Sequence, residues 1–119
     1  MNNRQLGKIK EDQASSYLED LGYKIIARNW HYGKYGEIDI VAIDPKRFNN
    51  EFLVFIEVKY RSHSLDLSLQ ALSPHKLKRL QRLAQAFMKF KKINENSTNI
   101  SFDFIAINKG KISHLKNIV

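Results

Sequence analysis

Charged residues stand at alternate positions in two otherwise apolar segments of the chain: Glu37 and Asp39 in the first, Glu57 and Lys59 in the second. If each segment is a β-strand, the members of each pair project from the same face, because side chains alternate along a strand. An antiparallel hairpin whose loop is centred near Phe48 would place Asp39 directly opposite Glu57. We therefore expect the four charged side chains to meet at one end of such a hairpin.

A cluster of carboxylates on buried strands is costly unless a cation compensates their charge. Hard oxygen ligands from Asp and Glu suit Mg²⁺ or Mn²⁺, and these ions retain water molecules that a phosphate can displace. The pattern predicts that Asp39 and Glu57 hold the metal, together with the backbone carbonyl of Val58. Lys59 would orient or help deprotonate the attacking water and stabilise charge growing on the phosphate. The chemistry that follows is metal-assisted hydrolysis of a phosphodiester.

A structural explanation exists for the same residues. Asp39 and Lys59 could form a cross-strand salt bridge, with Glu57 exposed to solvent. Glu-x-Lys alone is a weak signal, because such pairs occur on many solvated strands. An aspartate on the facing strand and a basic segment further along the chain strengthen it, but the residues by themselves leave both interpretations open.

The surrounding sequence predicts the elements that would position this cluster. Helical spacing of apolar residues indicates a helix over residues 4–21, ended by Gly22, and a second helix that begins at Pro74 with Ser73 as its N-cap. Strands are expected over residues 23–30, 37–43, 52–60, 102–108 and 111–115, with a polar loop over 44–50 and a hairpin turn at Lys109-Gly110. The α-β-β-β-α-β-β order predicts one α/β domain over residues 1–119, with a mixed central sheet and helices packed on its faces.

The apolar spacing also predicts burial. Ile38, Ile40 and Ala42 are expected to share one face of their strand. The strand over residues 52–60 is apolar on both faces, which indicates a central position in the sheet. On the second helix, Phe87 and Phe90 are expected in the core.

Glu11 lies on the apolar stripe of the first helix, three residues before Ala14 and seven before Leu18. A carboxylate at this position either points inward, where it needs a partner, or lies at the edge of the stripe and extends its charge into solvent. The sequence leaves both positions open.

The charge of the chain favours a polyanionic partner. Its net charge is +8, and residues 73–92 contain seven Lys or Arg residues and no acidic one. Nucleic acid is the commonest partner of such a surface, although a basic surface can also serve solubility alone. The basic residues of the second helix that we expect to contact nucleic acid include Lys76, Lys78, Arg79 and Arg82.

Several classes of protein are excluded or disfavoured. The chain has no cysteine, which excludes disulfides and thiolate zinc sites. No apolar run approaches the about 20 residues that span a bilayer, and the first residues lack the apolar core of a secretory signal. We therefore expect a cytoplasmic protein without a membrane contact.

Asp39, followed by Glu57-Val58-Lys59 on the next strand, resembles the motif of the PD-(D/E)xK nuclease superfamily. More narrowly, the chain is similar to the YraN-like family of small bacterial proteins over nearly its whole length. The matching blocks are Gly7, Glu11, Ala14, Tyr17-Leu18 and Gly22-Tyr23; Arg28-Asn29-Trp30; 36–42; 55–59 with Arg61; Lys76, Arg79-Leu80 and Ala84; and Phe102-Asp103.

The resemblance implies a restriction-endonuclease-like αβββαβ core of the Holliday-junction-resolvase type, and a metal-dependent nuclease that acts on DNA, including branched or non-duplex DNA. Asp39, Glu57 and Lys59 would be the catalytic residues. Glu11 would be the helix-borne acid at the metal, and Gln70 and Lys76 would lie near the phosphate. Cutting two strands would call for a homodimer. The alternative is a nucleic-acid-binding module that keeps the nuclease fold without cutting; a scaffold for a protein partner is the weaker third reading.

The chain departs from the superfamily pattern in two places. Ile38 stands where a proline often precedes the aspartate, and residues 65–69 lack the glycine usual in this family.

Aromatic and titratable residues outside the motif have more than one interpretation. Trp30, Tyr32 and Tyr35 could stack on unpaired bases, or simply pack the end of a strand. Asp103 could reach the site, although a structural hydrogen bond is the favoured role. The four histidines show no ligand spacing and are expected on the surface: His31, His63, His75 and His114.

Overall fold

The computed structural model of the protein describes residues 2–60 and 72–119. Of Asn3, only the backbone is described. Over these residues the predicted order of elements is confirmed. The elements are helix α1 (Asn3–Asp20), strands β1 (Lys24–His31), β2 (Glu37–Arg47) and β3 (Asn50–Tyr60), helix α2 (Pro74–Phe90), and strands β4 (Ile100–Asn108) and β5 (Lys111–Leu115). Neither helix is long and apolar enough to cross a membrane within this described part of the chain.

The five strands form one mixed sheet in the order β1-β2-β3-β4-β5. Neighbouring strands are antiparallel except β3 and β4, which are parallel. A parallel pair needs a crossover connection, and α2 lies within the one that joins β3 to β4. The chain is therefore a single compact α/β domain, as its sequence predicts.

Each side of the sheet carries its own apolar cluster. Ala14 and Leu18 of α1 pack with side chains of the central strands, among them Ile40 and Val58. On the other side, α2 packs Leu80, Leu83, Ala84, Phe87 and Met88 against residues that include Phe55. The prediction that β3 is a central strand with two apolar faces is confirmed.

The ends of both helices follow local signals in the sequence. Gly22 follows the last turn of α1 with φ +93°, and the backbone N–H of Tyr23 donates to the carbonyl of Leu18 at 3.0 Å. Glycine favours this left-handed conformation because it has no Cβ atom. At the start of α2, the side chain of Ser73 accepts a hydrogen bond from the backbone N–H of Lys76, and Pro74 is the first helical residue.

The polar loop expected over residues 44–50 is wrong. Strand β2 continues to Arg47 and β3 begins at Asn50, so that only Phe48 and Asn49 form the turn, with φ of 51° and 63°. Positive φ at both central residues is typical of the tight type I′ turn. The polar residues of this stretch mislead because Asp44 and Arg47 are buried as an ion pair, at 2.9 Å.

The structure corrects the predicted face of Ile38. Ile38 packs in the cluster on the α2 side, whereas Ile40 and Ala42 pack on the α1 side. The paired register of β2 with β3 begins only at Ile40. On β1, Arg28 pairs with Ile40 and Trp30 pairs with Ile38; Asn29 between them has φ of 51°. The alternation of side chains is therefore broken at the level of Asp39.

Phe90 is not a core residue, because 69% of its surface is exposed. The buried stripe of α2 runs from Leu80 at positions i, i+3, i+4, i+7 and i+8, ending at Met88. This spacing leaves Phe90 at the margin of the stripe, in the last turn of the helix.

Candidate active site

Asp39 lies at the point where β2 separates from β3. Its carboxylate oxygen Oδ2 accepts a hydrogen bond from the backbone N–H of Val58 at 2.8 Å. The last regular pair of the two strands is Ile40 with Ile56, so the Asp39 side chain replaces a backbone partner that the ladder no longer supplies. Because the N–H and C=O of a strand residue point to the same edge, the carbonyl of Val58 also faces this opening.

Ionisation of Asp39 is unfavourable at this position. Burial is the largest cause, and the neighbouring charge of Glu57 is the next; together they raise the pKa of Asp39 to about 7. The hydrogen bond from Val58 and the charge of Lys10 act in the opposite direction, while Glu11 adds a further small increase. The carboxyl groups of Glu57 and Glu11 are therefore close enough to Asp39 for their charges to be felt.

Glu57 and Lys59 form an ion pair on β3, with 3.1 Å between Lys59 Nζ and Glu57 Oε1. Only 16% of the Glu57 side chain is exposed, and 28% of the Lys59 side chain. The alternative, a salt bridge from Lys59 to Asp39 with Glu57 exposed, is therefore wrong. The sequence predicts that all four charged side chains contact one another. Glu37 departs from this expectation, because its carboxylate lies 3.0 Å from His31 Nε2.

Glu11 points inward from α1 and is almost fully buried, with 9% of its surface exposed. Its Oε2 accepts a hydrogen bond from the side-chain amide of Asn29 at 2.7 Å, and the Arg28 guanidinium lies 3.9 Å away. The interpretation that Glu11 reaches solvent at the edge of the helix is excluded. The sequence did not predict that Asn29 holds Glu11. An asparagine inside a strand is nevertheless a signal for the left-handed conformation that Asn29 adopts.

The described residues offer a divalent ion a small set of oxygen donors. Within residues 2–60 and 72–119, no group of three His, Cys, Asp or Glu side chains stands in an arrangement that would hold a metal. Asp39 accepts a hydrogen bond from the Val58 N–H and is affected by the charge of Glu57, so the carboxylates of Asp39 and Glu57 and the Val58 carbonyl are the donors available at the open edge. Because Mg²⁺ is commonly bound through one or two carboxylates and keeps several waters, this smaller set fits such an ion.

Basic residues lie on both flanks of the carboxylates. On one flank, Lys76 and Arg79 of α2 line a small cavity with Glu37 and Glu57, and Lys78 and Arg82 line the next one with Arg79. On the other flank, Arg4, Lys8 and Arg28 line a cleft of about 780 Å³ that also contains Glu11. Of the basic residues predicted for the site, Lys76 and Arg79 share a cavity with Glu57, whereas Lys78 and Arg82 lie in the neighbouring cavity without a carboxylate; Gln70 lies outside the described residues.

Asp103 belongs to a different cluster, on β4. Its side chain is fully buried and accepts hydrogen bonds from Arg47 at 2.7 Å, with His114 Nε2 2.6 Å away. The favoured structural role of Asp103 is confirmed. The expectation of a surface position is wrong for His114, whose side chain is 4% exposed, since it closes this buried network; His31 and His75 are exposed, and His63 lies outside the described residues.

The fold defines a class of protein: an α/β domain in which residues 2–60 and 72–119 supply a five-stranded mixed sheet and two helices, consistent with a restriction-endonuclease-like core. The chain belongs to the uncharacterised protein family UPF0102, whose model matches residues 10–107. This membership confirms the resemblance to the YraN-like family.

Relatives in several bacteria match almost the whole chain. A UPF0102 protein of Lachnoclostridium phytofermentans is 36% identical over 118 residues, which cover 98% of this chain and 94% of the relative. A second, of Sulfurihydrogenibium sp., is 33% identical over 118 residues, covering 98% and 96%. A third, of Shewanella sediminis, is 38% identical over 112 residues, covering 93% and 88%. None of these names states an activity, so a functional assignment has to come from the site.

Proposed function

We propose that this protein is a metal-dependent endonuclease of the PD-(D/E)xK superfamily that hydrolyses phosphodiester bonds in DNA in the cytoplasm. The observation that carries the proposal is the position of Asp39. Its carboxyl group lies at the open edge between β2 and β3, where burial and the charges of Glu57 and Glu11 raise its pKa to about 7. The negative charge of Asp39 is unfavourable for the folded protein at this position, and a bound cation would offset that cost.

Asp39, Glu57 and the Val58 carbonyl are the groups that would hold Mg²⁺ or Mn²⁺. When bound, the ion would polarise the phosphoryl oxygen and lower the pKa of a water molecule. Glu11, which is fixed by Asn29, is the helix-borne acid that completes the metal environment from the α1 side.

Lys59 is the proposed residue that acts on water and phosphate. Its ammonium group is 3.1 Å from Glu57 Oε1. If Glu57 bound a cation, the Lys59 ammonium group would be free to turn toward the substrate. There it would orient the attacking water and donate hydrogen bonds to the phosphate oxygens as negative charge develops.

The basic flanks support a nucleic-acid substrate. Lys78, Arg79 and Arg82 are exposed on α2, and Lys76, which is half-buried, extends the row toward Glu57. Contacts of this kind fix a strand through its phosphates without reading its sequence. DNA is the proposed substrate, with branched or non-duplex forms as the preferred structures, because Asp39, Glu57 and Lys59 resemble the motif of a DNA nuclease superfamily.

The second candidate function is a binding module that keeps the fold without cutting. The basic surface of α2 favours it as much as it favours an enzyme. The two functions differ in the use of the acids, because a pure binder has no need of Asp39 and Glu57 in a buried position.

Cleavage of a panel of labelled DNAs tests the proposal: single-stranded, duplex, flap and four-way junction, each with Mg²⁺, with Mn²⁺ and with a chelator. We expect cutting that requires the metal and is lost in Asp39→Asn. The matched control is Asp20→Asn, which removes an exposed carboxylate at the end of α1 and should cut as the wild type does. Salt-sensitive binding of the panel without any cutting would overturn the enzyme and leave the binding module.

A further inference from the structure

The aromatic residues after β1 form a stacked run that continues from the core to the surface. The ring centroids of Trp30 and Tyr32 are 5.8 Å apart with planes inclined by 7°, and those of Tyr32 and Tyr35 are 5.5 Å apart at 23°. Trp30 contacts the buried Phe87 edge to face, at 5.4 Å. Packing of a strand end thus explains Trp30. It does not explain the two tyrosines, which are 47% and 48% exposed.

The tyrosines form one wall of a groove of about 410 Å³, and α2 forms the other with Arg82, Gln85, Ala86 and Lys89. This volume falls in the range of about 300–1,000 Å³ that is usual for ligand clefts. The charged side chains of this lining are cationic, and Lys34 adds a further ammonium group 5.8 Å from the Tyr35 ring. Aromatic faces beside cations are the combination that binds unpaired nucleotides in a sequence-tolerant manner, through base stacking and phosphate contacts.

The groove is continuous with the proposed active site. Tyr35 and Arg82 also line the neighbouring cavity with Arg79, and Arg79 in turn lines the cavity that contains Glu57. Between Lys76 and Lys89 the helix rises about 20 Å, at about 1.5 Å per residue.

We propose that the groove between Tyr32, Tyr35 and α2 is a subsite for unpaired nucleobases, and that a single strand follows α2 from this groove to the bond that is cut. The inference rests on the proposed nuclease function for the cut, but not for the binding. Bases within a duplex are stacked on one another and cannot use the tyrosine rings. The substrate therefore carries an unpaired segment near the bond that is cut.

Binding measured in the presence of a chelator tests the subsite without any cutting. Fluorescence anisotropy would compare a single-stranded oligonucleotide with the duplex of the same sequence, for wild type and for the double variant Tyr32→Leu/Tyr35→Leu. We expect the double variant to bind the single strand about tenfold more weakly, or weaker still, while its duplex affinity changes by less than about twofold. The matched control Tyr32→Phe/Tyr35→Phe keeps both rings and should bind like the wild type.

Ala86→Glu is a second variant, which places a negative charge on the α2 wall of the groove and leaves the tyrosines intact. We expect it to weaken single-strand binding more than duplex binding. Unchanged single-strand affinity in the leucine and glutamate variants, or an equal loss for both DNAs, would overturn the subsite. A protein that discriminates through the tyrosines but never cuts would instead overturn the nuclease and leave the subsite standing.

Discussion

At the scale of single residues, Asp39 combines a structural task with an unfavourable charge. Its carboxylate accepts the hydrogen bond of Val58, which an asparagine oxygen could also accept. The pKa of Asp39 is raised, so burial and the nearby charge of Glu57 disfavour the ionised carboxylate by more than the Val58 hydrogen bond favours it. A raised carboxyl pKa means that the folded state is destabilised, relative to a neutral side chain, wherever the group is ionised.

Asp39→Asn is therefore expected to stabilise the metal-free protein at mildly alkaline pH, by about 1 kcal/mol or more. The same variant should lose the rise in Tm that Mg²⁺ or Mn²⁺ gives the wild type. Thermal unfolding with and without each ion measures both effects, with Asp20→Asn as the control. A variant less stable than the wild type without metal would contradict this account of the Asp39 environment.

Lys59 is expected to act in the reaction and not in holding the ion. Lys59→Met keeps most of the apolar stem and removes the ammonium group, so it should lower the cleavage rate by about 10²- to 10⁴-fold. Binding of Mn²⁺, followed by calorimetry, should remain within about threefold of the wild type because Glu57 is freed from its ion pair. Loss of both cleavage and Mn²⁺ binding would assign Lys59 a structural role instead.

At the scale of elements, the opening between β2 and β3 depends on the irregular path of β1 beside it. Asn29 has φ of 51° and donates its side-chain amide to Glu11. Its backbone therefore lies beside the break in alternation at Asp39, and its side chain holds the carboxylate of α1. The periodicity of the sequence could predict the two strands but not this break, because alternation rules assume a regular strand.

Substitutions of Asn29 separate its two tasks. Asn29→Gly loses the amide but retains the positive φ, whereas Asn29→Ala loses both. We expect Asn29→Ala to be less stable than Asn29→Gly by about 1 kcal/mol, the cost of a left-handed conformation for a residue with a Cβ atom. Denaturant unfolding of the two variants measures the difference, and equal stability would show that the backbone of this site relaxes.

A second element-scale feature is the network that joins the β2–β3 hairpin to β4 and β5. Burial by itself raises the pKa of Asp103, but hydrogen bonds from His114 and Arg47, together with the Arg47 charge, lower it to about 2. A carboxyl pKa that is lower in the folded state contributes stability above the unfolded value of about 4, and this contribution is lost as the pH falls toward 2.

Asp103 should therefore contribute about 2 kcal/mol at neutral pH that disappears between about pH 4 and pH 2. Asp103→Asn should be markedly destabilised at neutral pH, because it leaves Arg47 buried without its carboxylate. Urea unfolding of both proteins across this range should show their stabilities converging on acidification. A difference that stays constant with pH would assign the loss to packing alone.

At the scale of the whole molecule, the sequence was most informative where many residues repeat one signal. The order of the elements and the α2 start at Ser73-Pro74 follow from periodicity and end signals. The centre of the hairpin predicted the register, which holds at Ile40 with Ile56 but ends before the expected pair of Asp39 with Glu57. Predictions failed where the surroundings of one residue, and not a repeated pattern, decided the outcome. The ion pair with Arg47 keeps Asp44 in the interior, so the expected loop is strand. Phe90 is exposed because it lies at the margin of the buried stripe of α2.

The number of chains that act together is a prediction at this scale. One site per chain cuts one strand, so paired cuts in a four-way junction would need a homodimer with two-fold symmetry. We expect sedimentation of the protein with an uncut junction to give two chains per DNA. Paired cuts made by a complex of one chain per junction would contradict this expectation.

The central claim is that Asp39 and Glu57 form a site for a divalent cation. Calorimetric titration of the DNA-free protein with Mn²⁺ tests it most directly, with Asp39→Asn and Glu57→Gln as variants and Asp20→Asn as control. We predict one ion per chain for wild type and control, and at least about tenfold weaker binding in each site variant. Wild-type protein that binds no Mn²⁺, or site variants that bind it as tightly as the wild type, would contradict the account.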